Sequence, residues 1–301
     1  MKKFVLLPAL ALSFFILAST KADKVHYNEP YRPQYHFTPE RNFMENPAGA
    51  IFYEGEYHLF YQCNPKGNEP GFSHWGHSSS QDLLHWKHHP LAIFPDNLSE
   101  DKEFCTALPG SVIIDEKNLL GKEKEGHKTL VIFYTSQQCG QRIAFSNDGG
   151  NTWQKYAGNP ILTHDESEGA RNPKVFWHEP SGKWVMLLYR KLDNDERKQG
   201  FSFYNSSDLV HWEFQSHLAG FRDAPDLVEL RVNNRPDDTR WVIFERDGSY
   251  IIGHFDGKKF TPESIRMRSD FGKNYRGSVT WNNLPPADSR TIQVSLMADE
   301  E

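Results

Sequence analysis

The chain has 301 residues, 38% of them apolar, which suffices for a globular core in one large β domain or two ordinary ones. Its formal charge is −6, and loss of the first 22 residues would remove three lysines and no acid, taking it to −9. Such an acidic balance argues against nucleic acid and anionic membrane surfaces as partners.

The opening "MKKFVLLPALALSFFILASTKA" combines two lysines, an apolar run and small residues at Thr20 and Ala22. That is the form of a signal peptide over residues 1–22, and it places the mature chain, 23–301, in a secreted or periplasmic compartment. The apolar run is shorter than the roughly 20 residues a bilayer-spanning helix needs, so no membrane span is expected. Cys63, Cys105 and Cys139 allow at most one internal disulfide, match no zinc spacing, and read as small core residues.

Five segments then repeat one design. Each opens at a glycine or proline, alternates apolar and polar residues, turns, and returns through a second apolar strand. They start at Gly49 ("GAIFYEGEYHLFYQ"), Gly110, Pro173 ("PKVFWHEPSGKWVMLLYRK"), Pro225 and Gly277, spaced 61, 63, 52 and 52 residues apart. Period-two alternation with Gly, Pro, Asn and Asp at the turns specifies β-hairpins. Between them an aspartate is followed by an aromatic residue: Asp82 and Trp86, Asp148 and Trp153, Asp208 and Trp212, Asp256 and Phe260. This second element reads as an outer hairpin with its turn. An inner and an outer hairpin recurring at this period predict an all-β, five-bladed β-propeller.

In such a ring the innermost strands line a channel, and residues at their starts converge at one mouth. The groups there are Asn46-Pro47, Arg171-Asn172-Pro173 and Asp223-Ala224-Pro225-Asp226. Proline suits the first position of a strand because it lacks an N–H. The polar residue before each proline has no such structural reason, and these side chains are the candidate site.

The stretches "YRPQYHFTPERNFMENPAGAIFYEGEYHLFYQCNP", "HWGHSSSQDLLHW", "FSNDGGNTWQKYAGNPIL", "GARNPKVFW", "FRDAPDLVEL" and "FDGKKFTPE" resemble glycoside hydrolase family 32, the invertases, levanases and inulinases. The resemblance implies a five-bladed propeller that hydrolyses β-fructosidic bonds with an Asp nucleophile, a Glu acid/base and a stabilising Asp. The family's Trp-Met-Asn-Asp-Pro-Asn-Gly reads Phe43-Met44-Glu45-Asn46-Pro47-Ala48-Gly49, so Asn46 takes the nucleophile position. Asn172 takes the stabiliser position of Arg-Asp-Pro. Asp223 takes the acid/base position of Glu-Cys-Pro-Asp.

Retaining glycoside hydrolysis needs two carboxyl groups about 5–5.5 Å apart, one attacking and one donating a proton. An amide at Asn46 is a poor nucleophile, and by analogy with other multi-residue sites its loss costs on the order of 10⁴–10⁶ in turnover. β-Fructosidase hydrolysis is therefore expected to be lost or strongly impaired, leaving carbohydrate binding; the alternative is an active hydrolase with a rearranged acid pair. Glu45 is the neighbouring acid, but on a regular strand it points to the opposite face from Asn46 unless the backbone bulges. The resemblance also implies that Gln62, Trp75, Ser111 and Arg171 bind a fructan, sucrose or related glycoside. The five histidines His74, His77, His85, His88 and His89 have no regular ligand geometry, so neither metal nor cofactor is expected. Family members continue past the fifth inner hairpin into further strands and a β-sandwich absent from this sequence. The last blade is thus expected to be incomplete, with association through its edge.

Overall fold

The computed structural model describes residues 27–96, 105–124, 126–163, 166–235, 237–285 and 287–298. The expected signal peptide, 1–22, lies outside the described residues. The chain divides into a short unit, Met1–Arg32, and a large one, Pro33–Glu301. Within the described part of the first, Arg32 pairs with Glu29 at 2.5 Å. Everything below concerns the second.

Its strands form five antiparallel sheets in chain order. The first holds β1 (Phe43–Tyr53), β2 (Glu56–Asn64), β3 (His74–Ser80) and β4 (Lys87–Ile93). The second holds β5 (Ala107–Asp115), β6 (Thr129–Ser136), β7 (Gln141–Ser146) and β8 (Gln154–Lys155). The third holds β9 (Arg171–His178), β10 (Lys183–Lys191), β11 (Gln199–Ser206) and β12 (Glu213–Ala219). The fourth holds β13 (Asp226–Arg231), β14 (Thr239–Phe244), β15 (Ser249–Phe255), β16 (Phe260–Pro262) and β17 (Met267–Arg268). The fifth is a two-stranded hairpin, β18 (Tyr275–Thr280) with β19 (Gln293–Met297). The arrangement is an all-β propeller of four full blades and one hairpin among the described residues.

The first strand of each sheet faces the centre: β1 packs against β5 and β18, β5 against β9, and β13 against β18. The cores lie between blades. Ile51, Phe60 and Trp75 of the first blade meet Val112, Ile132 and Tyr134 of the second. Val131 and Phe133 meet Val175, Trp184 and Met186 of the third, while Val185, Leu187 and Phe203 meet Leu227, Ile243 and Phe255 of the fourth. Alternate residues of β6 thus serve two different cores, which is why "TLVIFYTS" is buried throughout.

The four outer turns share one device. Asp82, Asp148, Asp208 and Asp256 each accept backbone N–H groups two to four residues ahead, and the indoles of Trp86, Trp153 and Trp212 donate to carbonyls three residues behind. Side-chain oxygens thus satisfy turn donors that no ladder reaches, and the repeated aspartates are structural. Two expectations are corrected. Cys105 and Cys139 form a disulfide with Cα atoms 5.5 Å apart, and only Cys63 is a buried thiol, pushed up to about 11 by burial. Pro47 and Pro173 do not head their strands but sit inside β1 and β9, as Pro109 does in β5, whereas Pro225 stands immediately before β13. The ladder is irregular around Pro47 and Pro109, where a missing N–H costs nothing.

Candidate active site

One end of the channel is lined by Asn46 and Pro47 of β1, Pro109 and Gly110 of β5, Asn172 of β9, Asp223 to Pro225 before β13, Arg246 before β15, and Gly277 to Val279 of β18. Every inner strand contributes, as the repeat requires. The side chains at 46, 172 and 223 do converge there.

Asp223 is the hub. Its Oδ1 accepts from Asn172 Nδ2 at 2.6 Å, Arg171 Nε at 3.0 Å and the Ala224 N–H at 2.8 Å. Its Oδ2 faces the Arg246 guanidinium at 3.7 Å, beyond hydrogen-bond reach. Arg171 is held in turn by the Gly169 carbonyl at 3.0 Å and lies over the Tyr189 ring at 4.4 Å. Among the described residues Asp223 is the only carboxylate in the lining, and about 20 Å³ of free space remains, room for about one water.

The backbone here is bent into the left-handed region at Asn172 (φ 59°), Asp223 (φ 37°), Ala224 (φ 45°) and Gly277 (φ 52°). Asn and Asp tolerate this, Gly accepts it freely, and Ala224 carries a cost of about 1–2 kcal/mol. The Asn172 N–H donates to Thr135 Oγ1 at 3.0 Å, and the Arg246 N–H to the Asp223 carbonyl at 3.2 Å. Gly277 is required for a second reason: a Cβ there would lie 3.1 Å from Asn46 Oδ1. Neither Asn46 Oδ1 nor Asn172 Oδ1 has a hydrogen-bond partner.

The other predicted positions lie in the walls. Trp75 is fully buried, its indole N–H donating to the Leu108 carbonyl at 3.1 Å. Ser111 Oγ donates to the Pro173 carbonyl and accepts the Val175 N–H, both at 2.9 Å, stitching β5 to β9. Gln62 is buried opposite a register break in β1, where Glu45 and Asn46 both face it. That bulge breaks the alternation expected to turn Glu45 away, though Glu45 does not line the free space. None of Gln62, Trp75 and Ser111 reaches the lining, whereas Arg171 joins through Asp223. Beside the mouth, and sharing Arg171, runs a polar cleft of about 200 Å³ with Gln137, Gln138, Gln141 and Glu166.

Sequence reasoning missed Arg246 and the role of Asp226. Arg246 carries no motif, only a place before the Asp-Gly turn. Asp226 is buried beneath the mouth and bonded to Lys174 at 2.8 Å, so it offers no surface to a ligand.

Residues 36–301 match the glycosyl hydrolases family 32 N-terminal domain. The chain belongs to this family. It is 38% identical to a levanase of Bacillus subtilis over 98% of this chain and 44% of that protein. It is 32% identical to an extracellular exo-inulinase of Aspergillus awamori over 91% of this chain and 59% of that protein. The crystal structure of an exo-inulinase from A. awamori superposes with a TM-score of 0.79 at 30% identity, covering 90% of this chain and 60% of that one. The chain thus spans about half the length of the relatives it matches. Among the described residues no helix is long and apolar enough to cross a membrane.

Proposed function

We propose that this family 32 chain is a secreted fructoside-binding protein, holding a fructan, sucrose-type or related glycoside at the channel mouth while hydrolysing it slowly or not at all. One observation supports the reading: among the described residues that line it, the mouth has a single carboxylate, and that carboxylate is already engaged by Arg171, Asn172 and a backbone N–H. Retaining hydrolysis takes two carboxyl groups with separate tasks, and among the described residues no second one lines the space. Asn46 and Asn172 offer hydrogen bonds to sugar hydroxyls but no charge to a developing oxocarbenium ion. Arg171 and the adjoining glutamine-rich cleft suit hydroxyl recognition, with Gln62, Trp75 and Ser111 holding the walls. Secretion is supported by the Cys105–Cys139 disulfide, which persists in oxidising compartments.

The test compares the chain spanning residues 23–301 with its Asn46→Asp, Asn172→Asp, Asp223→Glu variant on sucrose, inulin and levan. Binding without turnover by the natural chain, and turnover by the variant, is the expected result. Turnover by the natural chain would refute the reading. The β1 bulge supports one alternative, an active hydrolase in which Glu45 supplies the second carboxylate. In that case Glu45→Gln abolishes the turnover.

A further inference from the structure

We infer that the mouth selects an anionic saccharide, one carrying a carboxylate, sulfate or phosphate, over its neutral counterpart. This rests on the reading of the mouth as a saccharide site and adds to it the charge of the ligand. On the motif correspondence, Asn46 and Asn172 stand where the family has aspartates, so two negative charges are missing. Among the described residues at the mouth the charged groups are Asp223 against Arg171 and Arg246, a balance of +1 in a chain whose formal charge is −6, with Glu166 in the adjoining cleft. Beneath them the Asp226 and Lys174 charges cancel at 2.8 Å.

Arg246 is placed by its backbone. Its N–H donates to the Asp223 carbonyl at 3.2 Å and its carbonyl accepts the Gly277 N–H at 2.7 Å, which fixes its Cα at the rim. The side chain is 40% exposed, and its contact with Asp223 Oδ2 at 3.7 Å is an ion pair without a hydrogen bond. A guanidinium so placed has donors for a planar or tetrahedral oxyanion. The acceptors Asn46 Oδ1 and Asn172 Oδ1, both unpartnered, suit ring hydroxyls, which donate. With about 20 Å³ free, a sugar has to displace Asp223 from between the two arginines. An anionic substituent replaces the carboxylate it displaces, charge for charge, whereas a neutral sugar leaves both guanidiniums uncompensated. Asp223 is thus an internal stand-in for the ligand's anion.

The experiment is calorimetric titration of the full chain with inulin, carboxymethyl inulin and sulfated inulin, one backbone with different charge, at low and physiological salt. The charged inulins are expected to bind about 10-fold tighter than inulin at low salt, with the gap narrowing as salt screens it. Arg246→Gln should close the gap, and Asp223→Asn, which removes the competing charge, should widen it; circular dichroism establishes that both variants fold. The carboxymethyl and sulfated arms separate the two oxyanion types. Equal binding of inulin and its charged forms overturns this inference and leaves the saccharide-binding reading standing. Tight binding of charged inulin that Arg246→Gln does not change also overturns it, as a non-specific polyanion effect. No binding of any inulin removes both readings.

Discussion

Lys174→Met should be among the most damaging single substitutions in the propeller. Lys174 of β9 and Asp226 of β13 are 5% and 0% exposed and 2.8 Å apart inside the channel. Asp226 Oδ2 also accepts from Thr280 of β18 at 2.5 Å and Gln293 of β19 at 3.2 Å, and Lys174 Nζ donates to the Thr280 carbonyl at 3.4 Å. The network therefore joins the third and fourth blades to the fifth hairpin. Methionine matches the length of lysine but leaves the Asp226 carboxyl group buried without its cation, facing only neutral donors. Removing one partner of a buried pair costs about 3–5 kcal/mol, a large share of the roughly 5–15 kcal/mol that holds a typical domain. With m near the upper end of the usual range, about 3 kcal/mol/M in urea, the midpoint falls by about 1–1.7 M. Removing both charges in Lys174→Met with Asp226→Leu should cost less than the sum of the single changes. A cost below about 1 kcal/mol for Lys174→Met, or simple additivity in the double variant, would show that the pair does not close the ring.

Three further outcomes follow from particular contacts. His58 and His77 are buried, 2.9 Å apart and stacked, and burial holds His58 down to about 4 and His77 well below its usual range. The folded state keeps the neutral rings, so their contribution is whole above pH 6.5 and drains away as pH falls from 6.5 towards 4; for His58 the full loss is about 3 kcal/mol. Thermal melts across that window should show His58→Gln with a shallower pH slope than the natural chain, and identical slopes would count against the account. Replacing Cys105 and Cys139 by serine opens a loop of 34 residues' separation and should lower stability by about 3–4 kcal/mol, read by urea denaturation with reductant as the matching control. Gly277→Ala puts a Cβ at φ 52° and 3.1 Å from Asn46 Oδ1, so it should cost about 1 kcal/mol in stability and weaken saccharide binding, and an unchanged affinity would remove Asn46 from the site.

The propeller was legible because its signals are local and repeated. The short β-branched and aromatic apolar run in "TLVIFYTS" marks a strand buried on both faces, and each Asp-to-aromatic spacing marks a turn that closes on itself through hydrogen bonds within four residues. The convergence of 46, 172 and 223 was legible too, since the repeat assigns equivalent places to them. What local pattern does not carry is pairing across blades. Nothing near Lys174 announces Asp226, 52 residues away, and nothing in Cys105 chooses Cys139 over Cys63. The prolines misled for a related reason: their missing N–H is tolerated at ladder breaks inside a strand as well as at its start.

The backbone around the mouth is held by bonds of its own. Left-handed backbone at Asn172, Asp223 and Ala224 is an expense that a mere strand-to-strand connection does not require, of order 1–3 kcal/mol at each such residue when other contacts hold it in place. Thr135 anchors the first and the Arg246 backbone the second, and neither contact involves an attacking carboxylate. These bonds aim Asn172, Asp223 and Arg246 at one small space whether or not a bond is ever cleaved there. On the proposed reading, such strain is what a saccharide-binding site asks of its scaffold. Relief of that strain by a ligand that releases Asp223 from Arg171 would then be the conformational reading of binding, visible as a change in the Asp223 side chain without movement of the blades.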